Sequence, residues 1–278
     1  MGNCYIALNE IKSRLGVTVT SDDALLLSLI EASSRTIDNL CHRHFFIEAG
    51  AKYFNGTWKN YLEVPDLMSV SSFAVDTERD LTFDGETWDE DDDFYLSGAA
   101  GIMEWPKCRI HLTPLSNKRF THGDNLYEVT GQWGYGNGTS EPWYGLAQTG
   151  TVDSSALTLA ISSATAYIQT GHTISVENEH MYVTDYSGSG TNVTVDRGVN
   201  GSTAAAHSAK KVSVMRYPSD LSRLALYMAI EAYKIEPMAG MLSESIGNYS
   251  YSRVSAITDT MSKTIDRVLR PYMLSAVA

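Results

Sequence analysis

The apolar period of the chain changes twice along its 278 residues, and no single motif limits the possible folds as strongly. Near the start, Leu8, Ile11 and Leu15 recur at helical spacing and end at Gly16, a residue that tolerates the left-handed turn closing many helices. Leu26, Leu29, Ile30, Ser33, Ile37 and Leu40 then repeat at steps of three and four, which predicts a longer helix within Thr18 to Phe46. Thr20 and Ser21 are its cap candidates, and Asp22 and Asp23 suit the positive end of its dipole.

From Phe46 to Gly136 the period drops to two. Short Val, Tyr, Phe and Trp segments are broken at Asn55-Gly56, Asp84-Gly85, Ser97-Gly98 and His122-Gly123, which predicts antiparallel hairpins. Residues 137–150 read as a linker or exposed excursion. Residues 151–217 are rich in Ser and Thr, and their alternating runs (TISV, HMYVT, NVTVDR, KVSVMR) predict a small all-β unit. Helical spacing returns after Pro218 with Leu221, Leu224, Ala225, Met228, Ala232 and Ile235, stopping at Pro237. It returns again from about Ser252 to Arg270 with Val254, Ile257, Met261, Ile265 and Val268.

The expected class is therefore α+β. N-terminal and C-terminal helices form a helical bundle core with antiparallel β-hairpins, and an all-β domain is inserted. The expected division is a connecting core over 1–149, the inserted β domain over 150–217, and C-terminal helices over 218–278 that complete the core.

Charge and composition exclude several functions. With 21 basic and 33 acidic side chains the chain carries −12, which repels phosphate backbones and argues against a basic nucleic-acid binder. Three widely spaced cysteines without a CxxC pair signal neither a disulfide framework nor a thiolate zinc site, and suit a reducing compartment. No stretch approaches a membrane helix or a secretory signal. Gly2 does not complete an acylation pattern, which wants Ser or Thr where Ile6 stands.

Chemistry-bearing clusters are sparse. Asp84 to Asp93 holds seven carboxylates in ten residues, yet counting an EF-hand loop from Asp89 puts Phe94 and Ala100 where Gly and Glu are needed, so a solvated loop is expected. Cys41, His42 and His44 cannot converge on a metal from one regular helix. No GxSxG, HExxH or SxxK set is present, and the glycine-rich run from Gly131 to Gly138 lacks the Lys-Ser/Thr of a phosphate cradle. No catalytic residue, cofactor or metal is expected.

Several separated pieces together resemble one family. LNEIKSRLGVTVTSDDALLLSLIEASSRTIDNLCHRHF is similar to the first two helices of the head-tail connector (adaptor, or head-completion) proteins of tailed bacteriophages, down to the closing Arg43-x-Phe45. FDGETWDEDDDFYLSGAAGIMEW resembles that family's acidic hairpin. YEVTGQWGYG resembles the strand that in the family leads directly to a Pro-x-Asp-Leu helix start, here Pro218 to Leu221. Residues 137 to 217 are thus an insertion, expected to project away from the core. Within it, TVDRGVNGSTAAAHSA resembles a short turn motif of small β modules in phage structural proteins.

The resemblance implies a structural virion subunit without enzymatic activity, about twelve copies of which form a ring beneath the portal protein. The ring would contact a tail-side neck or tail-completion protein. It would also extend a channel through which double-stranded DNA passes without sequence-specific binding, and no membrane is involved. The place is the virion neck, reached from the host cytoplasm during assembly. Family C-terminal segments suggest portal docking by Pro271, Tyr272, Met273 and Leu274. Apolar Met238, Met241 and Leu242 at the Pro237–Gly240 break are the expected ring interface. The alternative is a glycan- or host-surface-binding module acting through the inserted β domain.

Overall fold

The computed structural model describes residues 2–102, 104–136, 143–148, 151–162, 167–186, 188–235, 243–246, 249–252 and 255–274. Its elements in order are helices α1 (Leu8–Leu15) and α2 (Asp23–Cys41), then strands β1 (Glu48–Gly56), β2 (Tyr61–Val75), β3 (Glu86–Thr87), β4 (Phe94–Ser97), β5 (Lys107–Leu112) and β6 (Gly123–Trp133). Strands β7 (Trp143–Gln148), β8 (Thr158–Ala160), β9 (Thr173–Val176), β10 (Glu179–Asp185), β11 (Asn192–Val199) and β12 (Lys211–Met215) follow. Helix α3 (Ser219–Ile235), strands β13 (Ser243–Ile246) and β14 (Tyr249–Ser252), and helix α4 (Ser255–Leu269) complete them. The architecture is mixed helix and antiparallel sheet, as the change of period predicts.

Helix α1 ends at Gly16, whose φ of 70° is left-handed and whose N–H donates to the Lys12 carbonyl, so the glycine stop operates as expected. The start of α2 differs from expectation. Neither Thr20 nor Ser21 caps it with a side chain: the residue before the helix is Asp22, and it makes no side-chain cap bond. Its carboxylate instead accepts the Tyr233 hydroxyl at 2.6 Å, a tertiary partner from α3 that outcompetes the local one.

The first sheet runs β1-β6-β2-β5-β4, with β3 paired to β2. Strand β6 therefore lies between β1 and β2, and Asn55-Gly56 is not the tip of a hairpin between those two strands, contrary to the sequence expectation. Strand β6 takes this interior position because it buries alternate residues Tyr127, Val129, Gly131 and Trp133 along its length. Strand β2 changes partner along its 15 residues, pairing β5 up to Leu67 and β6 from there on. Pro65, which has no N–H to give a ladder, sits where the β2–β5 register shifts between Glu63 and Leu67.

The second sheet runs β7-β12-β9-β10-β11-β8 and has its own apolar cluster, including Leu159, Ile174, Val176, Met181, Val193, Val195 and Val212. Strand β7 pairs with β12 from Trp143↔Met215 to Gln148↔Lys211, so part of the expected linker is a strand of this sheet. This second sheet is also tied to the rest of the chain. Asn3 Nδ2 donates to Tyr182 Oη (3.0 Å) and to Asn200 Oδ1 (2.8 Å), Asn200 Nδ2 returns a bond to Asn3 Oδ1, and Tyr182 Oη donates to Asn200 Oδ1. Leu8 N donates to the Thr170 carbonyl and Ala49 N to that of Asn200. Gly201, at φ 74°, lies so close to β1 that a Cβ there would fall 1.9 Å from the Ala49 carbonyl oxygen.

All four helices share a cluster with the residues before them and between them: Tyr5, Ile11, Leu26, Ile30, Ile37, Phe45, Leu221, Leu224 and Leu269 are buried in it. Tyr5 is its polar anchor. Its N–H donates to Ser34 Oγ, its hydroxyl donates to Asp38 and accepts the Phe45 N–H at 3.0 Å, and its ring meets Phe45 edge-on and Tyr217 at 4.4 Å. Replacing Tyr5 by Phe keeps the ring and strips one partner each from a buried carboxylate and a buried amide. Urea unfolding should show a loss of about 1 to 3 kcal/mol. An unchanged midpoint at unchanged slope would show that the hydroxyl does not hold the corner together.

Candidate functional site

Among the described residues, the groups with chemical potential do not assemble into a reactive centre. Burial pushes the Cys4 thiol up to about 12 and Cys41 up to about 11, so neither is a thiolate near neutrality. Cys41 lies in the helical cluster, His42 takes the left-handed position closing α2, and His44 stacks on Phe46 with ring centres 4.4 Å apart. The three point to different surroundings. No group of three or more His, Cys, Asp or Glu side chains among the described residues could hold a metal. In the acidic stretch Asp89, Glu90, Asp91 and Asp92 are exposed around a turn that leads into β4.

The Arg43–Phe45 corner does converge. Phe45 is fully buried against Tyr5, Tyr135 (5.1 Å) and Tyr272 (5.6 Å). Arg43 N donates to the Asp38 carbonyl at the end of α2, and its guanidinium lies over the Tyr135 ring and 3.4 Å from Asp66 Oδ2. Both Asp66 carboxylate oxygens lack hydrogen-bond partners among the described residues, and burial pushes Asp66 up to about 6 against the lowering effect of Arg43. Burial likewise lifts Asp38 to about 6, opposed by the Tyr5 hydrogen bond and the Arg35 charge.

A second constellation explains the turn motif within the second sheet. Arg197 grips the buried Glu179 with two bonds, Nε to Oε1 at 2.6 Å and Nη2 to Oε2 at 2.7 Å. The remaining guanidinium hydrogens go to the carbonyls of Asp153, Ala156 and Ala205. Gly198 N and Ala205 N also donate to Glu179, and His207 Nε2 lies 2.8 Å from it while Nδ1 lies 2.9 Å from Glu177. The Arg, Gly, Ala and His of that motif therefore hold two loops around one carboxylate. Burial alone would raise Glu179, but Arg197, the Ala205 amide and His207 together hold it down to about 2. No sequence periodicity pointed to Glu179, which lies outside the motif and reaches it only across the sheet.

Of the expected portal-docking residues, Tyr272 is turned inward. Its ring contacts Phe45 and Tyr135, and its hydroxyl donates to Asp220 with both carboxylate oxygens at 2.9 Å. Pro271, Met273 and Leu274 face outward, and Leu274 N donates to the Cys41 carbonyl. Met238, Met241 and Leu242, the expected ring interface, lie outside the described residues. One exposed side chain escaped the sequence reading: Trp58, in the turn between β1 and β2, whose only signal was a large aromatic among Asn, Gly, Thr and Lys.

These groups set the stability profile. A buried acid with a raised native pKa binds its proton more tightly when folded, so Asp38 and Asp66 add stability as pH falls from above about 6 toward the ordinary 3.8. Glu179 does the reverse: its stabilisation is complete above the ordinary 4.5 and is lost as pH falls toward about 2. Burial lowers His172 to about 4, which opposes the gain from the two aspartates over the same range, so thermal unfolding should show its clearest pH dependence as a decline below about pH 4. Arg197→Met, which leaves Glu179 buried and uncompensated, should cost about 3 to 5 kcal/mol at pH 7 and flatten the acid limb. A wild-type acid limb would show that Arg197 does not set the Glu179 titration.

Residues 5–71 match the family model described as "Phage gp6-like head-tail connector protein". The match spans α1, α2, the Arg43–Phe45 corner, β1 and most of β2. No curated protein matches the chain. Among solved structures, a chain from "Neck of empty GTA particle computed with C6 symmetry" aligns at a TM-score of 0.42 and 11% identity, over 99% of this chain and 92% of that chain. Residues 5–71 are thus similar to the gp6-like phage head-tail connectors, the family that the two opening helices resemble.

Proposed function

We propose that this chain is a structural subunit of the neck of a tailed phage or phage-like particle, where it joins head to tail and has no enzymatic role. The observation that carries this reading is the family match over residues 5–71, because the matched segment is the structural centre of the chain. Its Phe45 receives Tyr135 from the end of the first sheet and Tyr272 from the C-terminal segment. The four helices then act as a rigid bundle from which the sheets project.

In this reading about twelve copies form a ring. The ring sits between the portal and a tail-side neck or tail-completion protein, after assembly in the host cytoplasm. Acidic surfaces facing the channel would let DNA slide past without specific contact, in keeping with the net charge of −12. The 150–217 unit is an insertion into this connector. Its polar side chains Asn200, Tyr182 and Thr173 bond to Asn3, and this internal use favours the connector reading over a glycan site built from them.

A particle-resolved map is the direct test, with the four helices expected at the head-tail junction in a closed ring. Finding the chain in the shell or a tail fibre would overturn the reading. Because Tyr272 belongs to the core, portal docking is best tested by removing residues 273–278. That truncation should leave circular dichroism and thermal unfolding close to wild type, while capsids lose their DNA. Filled, tailed particles from the truncated chain would remove the C-terminal segment from the portal contact.

A further inference from the structure

The first sheet ends in two loops, 57–60 and 113–122, that carry the most exposed large apolar side chains of this sheet. Trp58 is 70% exposed and Leu115 98% exposed. Trp58 holds a left-handed backbone conformation (φ 62°), an unfavourable one for a bulky residue, and its N–H donates to the Phe120 carbonyl at 3.1 Å. The fold therefore presents this ring to solvent at an energetic cost. Trp58 borders a groove of about 430 Å³ whose wall also includes Lys59, Tyr95, Pro114 and Arg119.

The charges around this groove are divided. Lys59 and Arg119 are exposed, and among the described residues neither has a carboxylate partner, whereas Lys118 beside them is paired with Glu86. Next to the groove stand Asp89, Glu90 and Asp92, all exposed. Their loop is fixed against the 113–116 turn, because Thr113 N donates to the Asp93 carbonyl, Thr113 Oγ1 to that of Asp92, and Ser116 Oγ to Asp93. One end of the molecule thus holds a rigid anionic lobe and a cationic groove with apolar anchors.

We infer that this end is a contact between copies of the chain, in which the Asp89–Asp92 lobe of one copy lies against the Trp58–Lys59–Arg119 groove of another. Charge complementarity selects the occupant. A uniformly acidic partner or a DNA backbone would meet the anionic lobe as well as the groove, and would be repelled there. A second copy brings a groove for each lobe and a lobe for each groove. Trp58 and Leu115 supply the apolar area that exposed ion pairs alone lack. Because lobe and groove share one end of the molecule, the contact is two-fold and joins chains in pairs; it goes beyond the connector reading, and assembly in solution tests it separately from the chain's place in a particle.

Two charge-reversed variants of the full chain provide the test, K59E/R119E and D89K/D92K, all at exposed positions and checked for folding by circular dichroism. In sedimentation at low salt the wild type should associate with increasing concentration, and added salt should weaken it. Each variant alone opposes like charges and should associate at least about tenfold more weakly. An equimolar mixture restores opposite charges at every contact and should recover the wild-type mass. Three outcomes would each overturn the proposal: a monomeric wild type, a variant that associates like wild type, or a mixture of folded variants that stays dissociated. Loss of the neck position in a particle map, with the mixture still recovering, would remove the connector reading and leave the contact in place.

Discussion

The hydroxyl of Tyr5 is the point on which the arrangement of helices and sheets depends. It stands five residues from the start of the sequence, yet it bonds to the last turn of α2 through Asp38 and to the corner that leads into β1 through Phe45 N. Its ring reaches Tyr217, at the exit from the insertion, and the Arg35 guanidinium lies 5.5 Å from the ring centre. Removing such a group leaves buried donors and acceptors unpaired, and the cost of an unpaired buried polar group exceeds the net gain of an average hydrogen bond. Helix, corner, sheet and insertion are held in register by one side chain because all of their chain ends pass through the same small volume.

The same economy appears in the insertion. A β unit placed between the end of β6 and the start of α3 could have hung from its two connections. Instead its polar residues Tyr182 and Asn200 lock onto Asn3, and Gly201 presses against β1. Internally, the Glu179–Arg197–His207 cluster closes loops that have too little apolar side chain to close themselves. A buried ion network is costly to desolvate, and satisfying every group with good geometry makes it specific to one arrangement. The Glu177–Lys210 pair at its margin is exposed and contributes little by comparison.

The helices were legible in the sequence because their signal is local: Leu26, Ile30 and Ile37 mark one face, and Gly16 marks a stop, whatever lies elsewhere in the chain. The sheet order was not legible, because Asn55-Gly56 has the chemistry of a hairpin turn while β6, some seventy residues later, takes the place beside β1. The cap of α2 was misread for a related reason, since Asp22 is claimed by Tyr233 from a helix two hundred residues away. Of the candidate site residues, Pro271, Met273 and Leu274 are exposed, whereas Tyr272 packs against Phe45 and bonds to Asp220.

Sequence alone determined the class of the fold, the positions of the helices and the resemblance of the opening helices to the phage connectors. These follow from periodicity and short-range spacing, which act over a few residues. Tertiary structure decided which strands are neighbours, that part of the expected linker is a strand, that Glu179 completes a motif beginning near residue 194, and that Trp58 stands exposed beside separated charges. Each of these depends on residues distant in sequence meeting in space. Burial and electrostatics act on that proximity, and no local pattern records it.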